Sequence, residues 1–143
     1  MRTVILDGTK IRIPEDFTSD HTGSGICIED TVGEAVSLGD VLYMKSDGKW
    51  WKADADAATT MPGAGLATEA KTANQECKIL LFGFFRDDSW SYTTGGILYV
   101  STAPGPPTQT APTGSGDQVQ VLGIAITATV ILFNPSYELV ELT

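Results

Sequence analysis

The chain is poor in the residues from which most catalytic and metal-binding chemistry is built. Of 143 residues one is histidine, His21, and two are cysteine, Cys27 and Cys77. A serine or cysteine nucleophile would have a single base available, in a polar loop and with no supporting motif, whereas such sites need nucleophile, base and orienting group together. The cysteines form no CxxC pair, and two free buried thiols are expected rather than a disulfide. Lysine and arginine number nine and are scattered, against 18 acidic residues, for a net charge of −9 and a pI near 4.3. Displacing counterions from phosphates takes clustered cations, so nucleic acid is not an expected partner, and an anionic membrane surface is disfavoured by the same balance.

Other patterns are missing as well. No apolar run approaches the roughly 20 residues of a membrane span. The stretch "MRTVILDGTKIRIP" lacks the long apolar core of a signal peptide. Nowhere do apolar residues recur at i, i+3, i+4 and i+7 over two convincing turns. "GSGD" and "GAGL" lack the lysine and the strand-to-helix context of a phosphate loop. Asp54 with Asp56, and Asp87 with Asp88, lack the spaced oxygen ligands of a calcium loop and read as solvated turn acids. The expectation is a soluble protein made in a cytoplasm, with no catalytic residues, no metal and no cofactor.

What is present points to strands. Hydrophobic residues make up 42% and charged ones 19%, enough for one domain with a core of its own. Fifteen glycines and seven prolines favour short strands joined by turns. "TVILDGTKIRI" is two β-branched runs around Asp7-Gly8, a hairpin signal that Pro14 ends. The polar stretch 15–25 then marks a boundary, giving an N-terminal hairpin arm over 1–25 and a β domain over 26–143. Within the latter, "GDVLYMKSDGKWWKA" predicts a hairpin from Val41 to Ala53, turning at Asp47-Gly48. "GLATEA", "CKILLFGFF", "ILYVST", "VQVLGIAITATVILFNPS" and "YELVEL" supply further strands. "APGPPTQTAPTGSGDQ" is too rich in proline for helix or interior strand, and a loop of that length is functional or disordered.

Two halves of the domain share an order of motifs. "GDVLYM", "GLATEA" and "KILLFG" are answered by "GGILYV", "GIAITA" and "VILFNP". Gly39, Leu42 and Tyr43 match Gly95, Leu98 and Tyr99; Gly65, Leu66 and Ala67 match Gly123, Ile124 and Ala125; Leu81 and Phe82 match Leu132 and Phe133. The fold expected is all-β, a small barrel or sandwich built from two related β units, about 39–83 and 95–134.

The aromatic residues are the other candidates for function. Trp50 and Trp51 are consecutive in a strand and so point to opposite faces, one into the core and the other towards solvent, a partner chain or a ligand. Trp90 and Tyr92 share a face beside Asp87 and Asp88. Rings next to carboxylates can stack on sugars, and Trp and Tyr are also enriched in protein contacts.

"GGILYVSTAPGPPTQTAPTGSGDQVQVLGIAITATVILFNPS" resembles the C-terminal β domain of tailed-bacteriophage virion structural proteins. In that group a G-x-LY-V strand, a Pro/Thr-rich loop and a VqvvGiA strand recur before il-F-x-P. The resemblance spans about Gly39 to Leu142, and the "GDVLYMKSDGKWWKADA" half is similar to capsid cement proteins, which commonly form trimers. Residues before about Gly25 have no counterpart in it. The resemblance implies a capsid decoration (cement) protein, a homotrimer on the outer surface of the assembled head, made in the host cytoplasm and partnered by the major capsid protein. The chain lacks the helical or collagen-like shaft of a fibre. On this reading Val4, Leu6, Ile11, Ile13, Trp50 and Trp51 are candidates for capsid or intersubunit contact. The alternative is a carbohydrate- or receptor-binding module of a head or tail fibre, with Trp90 and Tyr92 (and Trp51) contacting the glycan or partner.

Overall fold

The computed structural model describes residues 19–143 and, before them, the backbone of two short strands, β1 (Ile5–Asp7) and β2 (Lys10–Arg12), paired as Leu6 opposite Ile11. The strands of the body are β3 (Gly23–Thr31), β4 (Val41–Met44), β5 (Trp50–Lys52), β6 (Gly65–Ala67), β7 (Glu76–Arg86), β8 (Ile97–Tyr99), β9 (Gln118–Val119), β10 (Val121–Ala125), β11 (Val130–Phe133) and β12 (Val140–Glu141). A single 3-10 turn at Ala58–Thr60 is the only helical element among the described residues. The protein is all-β: one curled, half-barrel sheet and a small second sheet of β9 and β12. β3 begins at Gly23, so the last residues of the 1–25 stretch expected to form an arm are already paired to β7, Gly23 opposite Phe85 and Gly25 opposite Gly83.

The turns follow their chemistry. At Asp47-Gly48 glycine supplies the positive φ (+79°) while the Asp47 carboxylate accepts from Lys49 N, closing the β4–β5 hairpin with Tyr43 opposite Trp51. The entries to β4 and β8 are built alike. Gly39 and Gly95 both take left-handed φ, +87° and +79°, and their amides donate to Ala67 O at 2.8 Å and Ala125 O at 2.7 Å. Ala67 N returns a bond to Asp40 O, as Ala125 N does to Gly96 O.

The ladders repeat in the same sense. Val41 lies opposite Leu66 and Leu66 opposite Leu80; Ile97 lies opposite Ile124 and Ile124 opposite Leu132. Leu42 faces Gly65 as Leu98 faces Gly123, and Ala67 faces Ile79 as Ala125 faces Ile131. The third motif thus corresponds as Leu80 to Leu132, one residue away from the match of Leu81 with Leu132 expected from sequence. A bulge is the reason. The β3–β7 register jumps between Ile26 and Cys27, which lie opposite Phe82 and Leu80, so Leu81 has no partner on β3.

β7 organises the molecule. Along one edge it pairs with β3 for its whole length, and along the other it takes β6 at Ile79 and Leu80 and then β11 from Gly83 to Arg86. A strand has two edges, so the three-stranded units β4-β5-β6 and β8-β10-β11 share one of them, end to end. The bulge separates their attachment points and reverses which side chains point inward. Before it Leu80 enters the main core; after it Phe85 does. That core lies between the units and joins Val41, Tyr43, Leu66 and Leu80 to Leu98, Leu122, Ile131 and Phe133. A second cluster, of Leu42, Ala67, Ile79 and Cys77 with Val32, Val36 and Trp50, covers the opposite face of the first unit.

Among the described residues one polar side chain is fully buried. The Gln120 amide accepts from Gly63 N (2.8 Å) and donates to the carbonyls of Gly63 (2.7 Å) and Ser136 (2.6 Å), so a side chain between β9 and β10 fastens two connectors with neither of its polar atoms left unpaired.

Gly123, at φ +140°, has no room for a Cβ, which would run into the carbonyl oxygen of Leu132 on the paired strand, whereas a Cβ on Gly95 meets nothing within 4 Å. Gly95→Ala is expected to cost about 1 kcal/mol from the left-handed backbone alone. Gly123→Ala should cost at least about 3 kcal/mol, because the β10–β11 ladder must move. Urea unfolding of the two variants checks the difference, and equal midpoints would count against the close approach.

Candidate interaction surface

The aromatic residues singled out by sequence are occupied within the fold. Trp50 is 5% exposed in the second cluster, and its indole N–H donates to Asp30 at 3.0 Å. Trp51 points the other way, as alternation along a strand requires. It is half-buried at the edge of the main core, with Nε1 donating to the Asp47 carboxylate and Lys45 Nζ 4.2 Å from its ring centre. Trp90 packs against Phe85 at 5.9 Å and Tyr92 at 5.3 Å between ring centroids, both tilted, and all three lie on the main core. The Tyr92 hydroxyl donates to the Pro107 carbonyl at 2.5 Å. Burial, with the Asp87 charge adding to it, pushes its phenol well above the usual range. Leu6 and Ile11 are paired in the β1–β2 hairpin; their side chains, and Val4 and Ile13 altogether, lie outside the described residues.

The long Pro/Thr segment is ordered. Gly105, Pro107 and Pro112 are buried. Gly105 O accepts from Val41 N, Tyr99 and Thr108 exchange two backbone bonds, and the Gln109 side chain holds both backbone groups of Thr93. The segment thereby straps the first unit to the second. Its proline content, read as incompatible with helix and interior strand, also suits an extended strap whose few amides are bonded individually.

The acid pairs differ from the expectation of solvated turns at one place. Asp87 is 6% exposed: one oxygen accepts from Ser89 N and Oγ, and its backbone carbonyl accepts from Trp90 N. It is buried because the turn it caps folds over Phe85 and Trp90, a relation sequence spacing does not reveal. Its other oxygen lies 3.7 Å from His21 Nε2, which is 3.5 Å from an Asp20 oxygen. These three atoms could hold a divalent cation among the described residues, and they equally form a histidine–carboxylate contact that charges when His21 is protonated. Asp88 next to them pairs with Arg86 (2.6 Å), whose hydrogen bonds hold its carboxyl below the ordinary range. Along β3 an open groove of about 700 Å³ runs from His21 past Gly23 and Cys27 to Glu29, Glu69 and Lys78. Cys27 is half-buried and Cys77 buried, and no disulfide joins the two.

What the sequence did not single out is an apolar face on the second unit. Its outward side carries Ile97, Tyr99, Val121, Ile124, Ile126 and Leu132, with Ile97 46% and Ile124 38% exposed. None bears charge, on a chain that is otherwise strongly acidic. Alternation within "ILYV" and "VLGIAI" contained this information, but each run reads equally well with either set of side chains inward.

No protein-family model matches the chain, and no curated protein matches it in sequence.

Two outcomes follow from these contacts. Tyr92→Phe removes the partner of the buried Pro107 carbonyl and is expected to cost about 1–2 kcal/mol, with faster amide exchange at Tyr99 and Thr108; unchanged exchange would mean that the strap is held elsewhere. Asp40 is buried in the turn before β4 with one oxygen accepting from Ser37 N (2.9 Å), and burial pushes its carboxyl above the ordinary carboxylate range. The folded state therefore binds this proton more tightly than the unfolded one, and the group's contribution to stability falls as pH rises through that interval. Asp40→Asn, which keeps an acceptor, should be the more stable protein at pH 7, with its advantage shrinking as pH falls towards 4. Thermal melts across pH 4–7 read this directly.

Proposed function

We propose that the chain is a capsid decoration protein of a tailed bacteriophage, binding the outer surface of the assembled head as a homotrimer and stabilising the shell. The observation that carries the reading is the open, charge-free face of the second unit. Contiguous exposed apolar surface on a small soluble domain marks a contact surface, and a protein that works by assembly needs one. The sequence resemblance over about Gly39 to Leu142 supplies the context. The strapped, doubly cored fold suits a part that bears load.

The mechanism is thermodynamic linkage. A protein that binds surfaces of the major capsid protein existing only in the closed lattice stabilises that lattice by the free energy of its binding. The net charge of −9 would hold neighbouring particles apart. The carbohydrate-binding alternative has less to draw on, because Trp90 and Tyr92 spend their faces on each other and on Phe85, and the Tyr92 hydroxyl is already bonded.

The test is cosedimentation with heads of the cognate virion stripped of their decoration. Saturable binding that raises the temperature at which heads release DNA is expected. Specific glycan binding that is lost in Trp90→Ala, with no association to heads, would replace this reading with the fibre-module one.

A further inference from the structure

Two carboxylates and the single histidine of the chain meet where β3 and β7 end together. Gly23 lies opposite Phe85 and Arg86 N donates to Thr22 O at 2.8 Å, so the ladder sets Asp20 and His21, just before β3, beside Asp87, just after β7. Each carboxylate spends one oxygen locally. Asp20 Oδ1 accepts from Asp88 N (2.7 Å) and His21 N (2.9 Å), and Asp87 Oδ1 accepts from Ser89 N (2.9 Å) and Ser89 Oγ (2.6 Å). The two Oδ2 atoms are left facing the same imidazole nitrogen, His21 Nε2, at 3.5 Å from Asp20 and 3.7 Å from Asp87. Neither separation is that of a hydrogen bond. The Asp87 side chain is only 8% exposed, yet its Oδ2 accepts no hydrogen bond among the described residues. A carboxylate oxygen that has lost most of its water and gained no donor calls for a cation.

We propose that Asp20 Oδ2, His21 Nε2 and Asp87 Oδ2 bind one divalent transition-metal ion of the zinc class, with water as the fourth ligand. The spacing supports such a site. A tetrahedral ion with ligands at roughly 2.0–2.2 Å holds neighbouring ligand atoms about 3.4 Å apart. The imidazole nitrogen lies 3.5 and 3.7 Å from the two oxygens, and all three atoms are within 4.8 Å of one another. The donor set selects the ion: one imidazole with two carboxylates suits zinc and its neighbours in the first transition row, whereas calcium takes about six to eight oxygens. Charge agrees. Arg86 already matches Asp88 through contacts of 2.6 and 3.1 Å, which leaves the two carboxylates of the triad to balance a doubly charged cation. The donors on the Oδ1 atoms hold both carboxylates in place before an ion arrives, as outer-shell bonds do in metal sites. Sequence spacing gave no sign of this site, because its third ligand comes from across a ladder. Bound there, the ion would staple the entry to β3 onto the turn that leaves β7.

The experiment is Zn²⁺ titration of the untagged full chain, followed by calorimetry and by the ring-proton NMR signals of its single histidine. Co²⁺ replaces Zn²⁺ for visible spectra. The expected result is one ion per chain, a shift of the His21 ring signals that saturates with it, and the intense visible bands of tetrahedral cobalt with no thiolate band from Cys27 or Cys77. At about a 100-fold excess over Kd the ion should raise the melting temperature by several degrees. His21→Asn, a residue that tolerates the φ of +57° at this position, should abolish binding. Asp20→Asn, which keeps the acceptor for Asp88 N, should weaken it at least about 10-fold. Asp56→Asn, in an exposed acid pair elsewhere on the chain, should change nothing. Zn²⁺ uptake that leaves the histidine signals unmoved, or that survives His21→Asn, overturns the proposal and means diffuse association with an acidic surface. No uptake below millimolar Zn²⁺ also overturns it, and leaves the triad as a histidine–carboxylate contact. The histidine signals decide between these outcomes in the wild type even if a variant fails to fold.

Discussion

Everything in this molecule hangs on the edge of one strand. β7 must satisfy eleven residues of backbone on two sides, and its β3 partner takes only one of them. The remaining edge is long enough for two short strands in succession, and β6 and β11 occupy it. Because each of those strands leads its own three-stranded unit, the shared edge obliges the units to lie against one another. The bulge at Leu81 then decides how: it turns Leu80 and Phe85 into the same core although their positions differ by an odd number, which an unbroken strand would forbid. A repeated motif thereby becomes a packed pair instead of a flat sheet.

Polar groups close what the strands leave open. Gln120 satisfies two connectors from inside, the Tyr92 hydroxyl and the Gln109 amide hold the strap that crosses between units, and Asp87 ties the turn over the aromatic cluster. These bonds hold the shape of the two units, and the outward face of the second unit is apolar.

Much of this was legible in the residues. The hairpin around Asp47-Gly48, the strand content and the order of the two motif sets are local properties, written in β-branched runs, turn glycines and period-two alternation. The glycines before Leu42 and Leu98 matched in sequence, and the structure gives both the same left-handed φ. Other features were not legible. "CKILLFGFF" gives no sign that two units share it, because pairing partners are chosen over long range. Asp87 looked solvated because its burial depends on Trp90 folding back over Phe85. The Trp50-Trp51 pair suggested an exposed ring, but a carboxylate, a lysine and a core edge absorb Trp51.

The sequence by itself determined that the chain is all-β and that it carries two sets of strand motifs in the same order. These follow from composition and short-range pattern, to which each residue contributes independently of the rest of the fold. Only the tertiary structure decided which of two chemically equal apolar rows is buried. Val41-Leu66-Leu80 and Ile97-Ile124-Leu132 are alike in character and register, and no local property separates them. The difference arises because two units stacked front to back have one interior face between them, and the second row is on the outside of it.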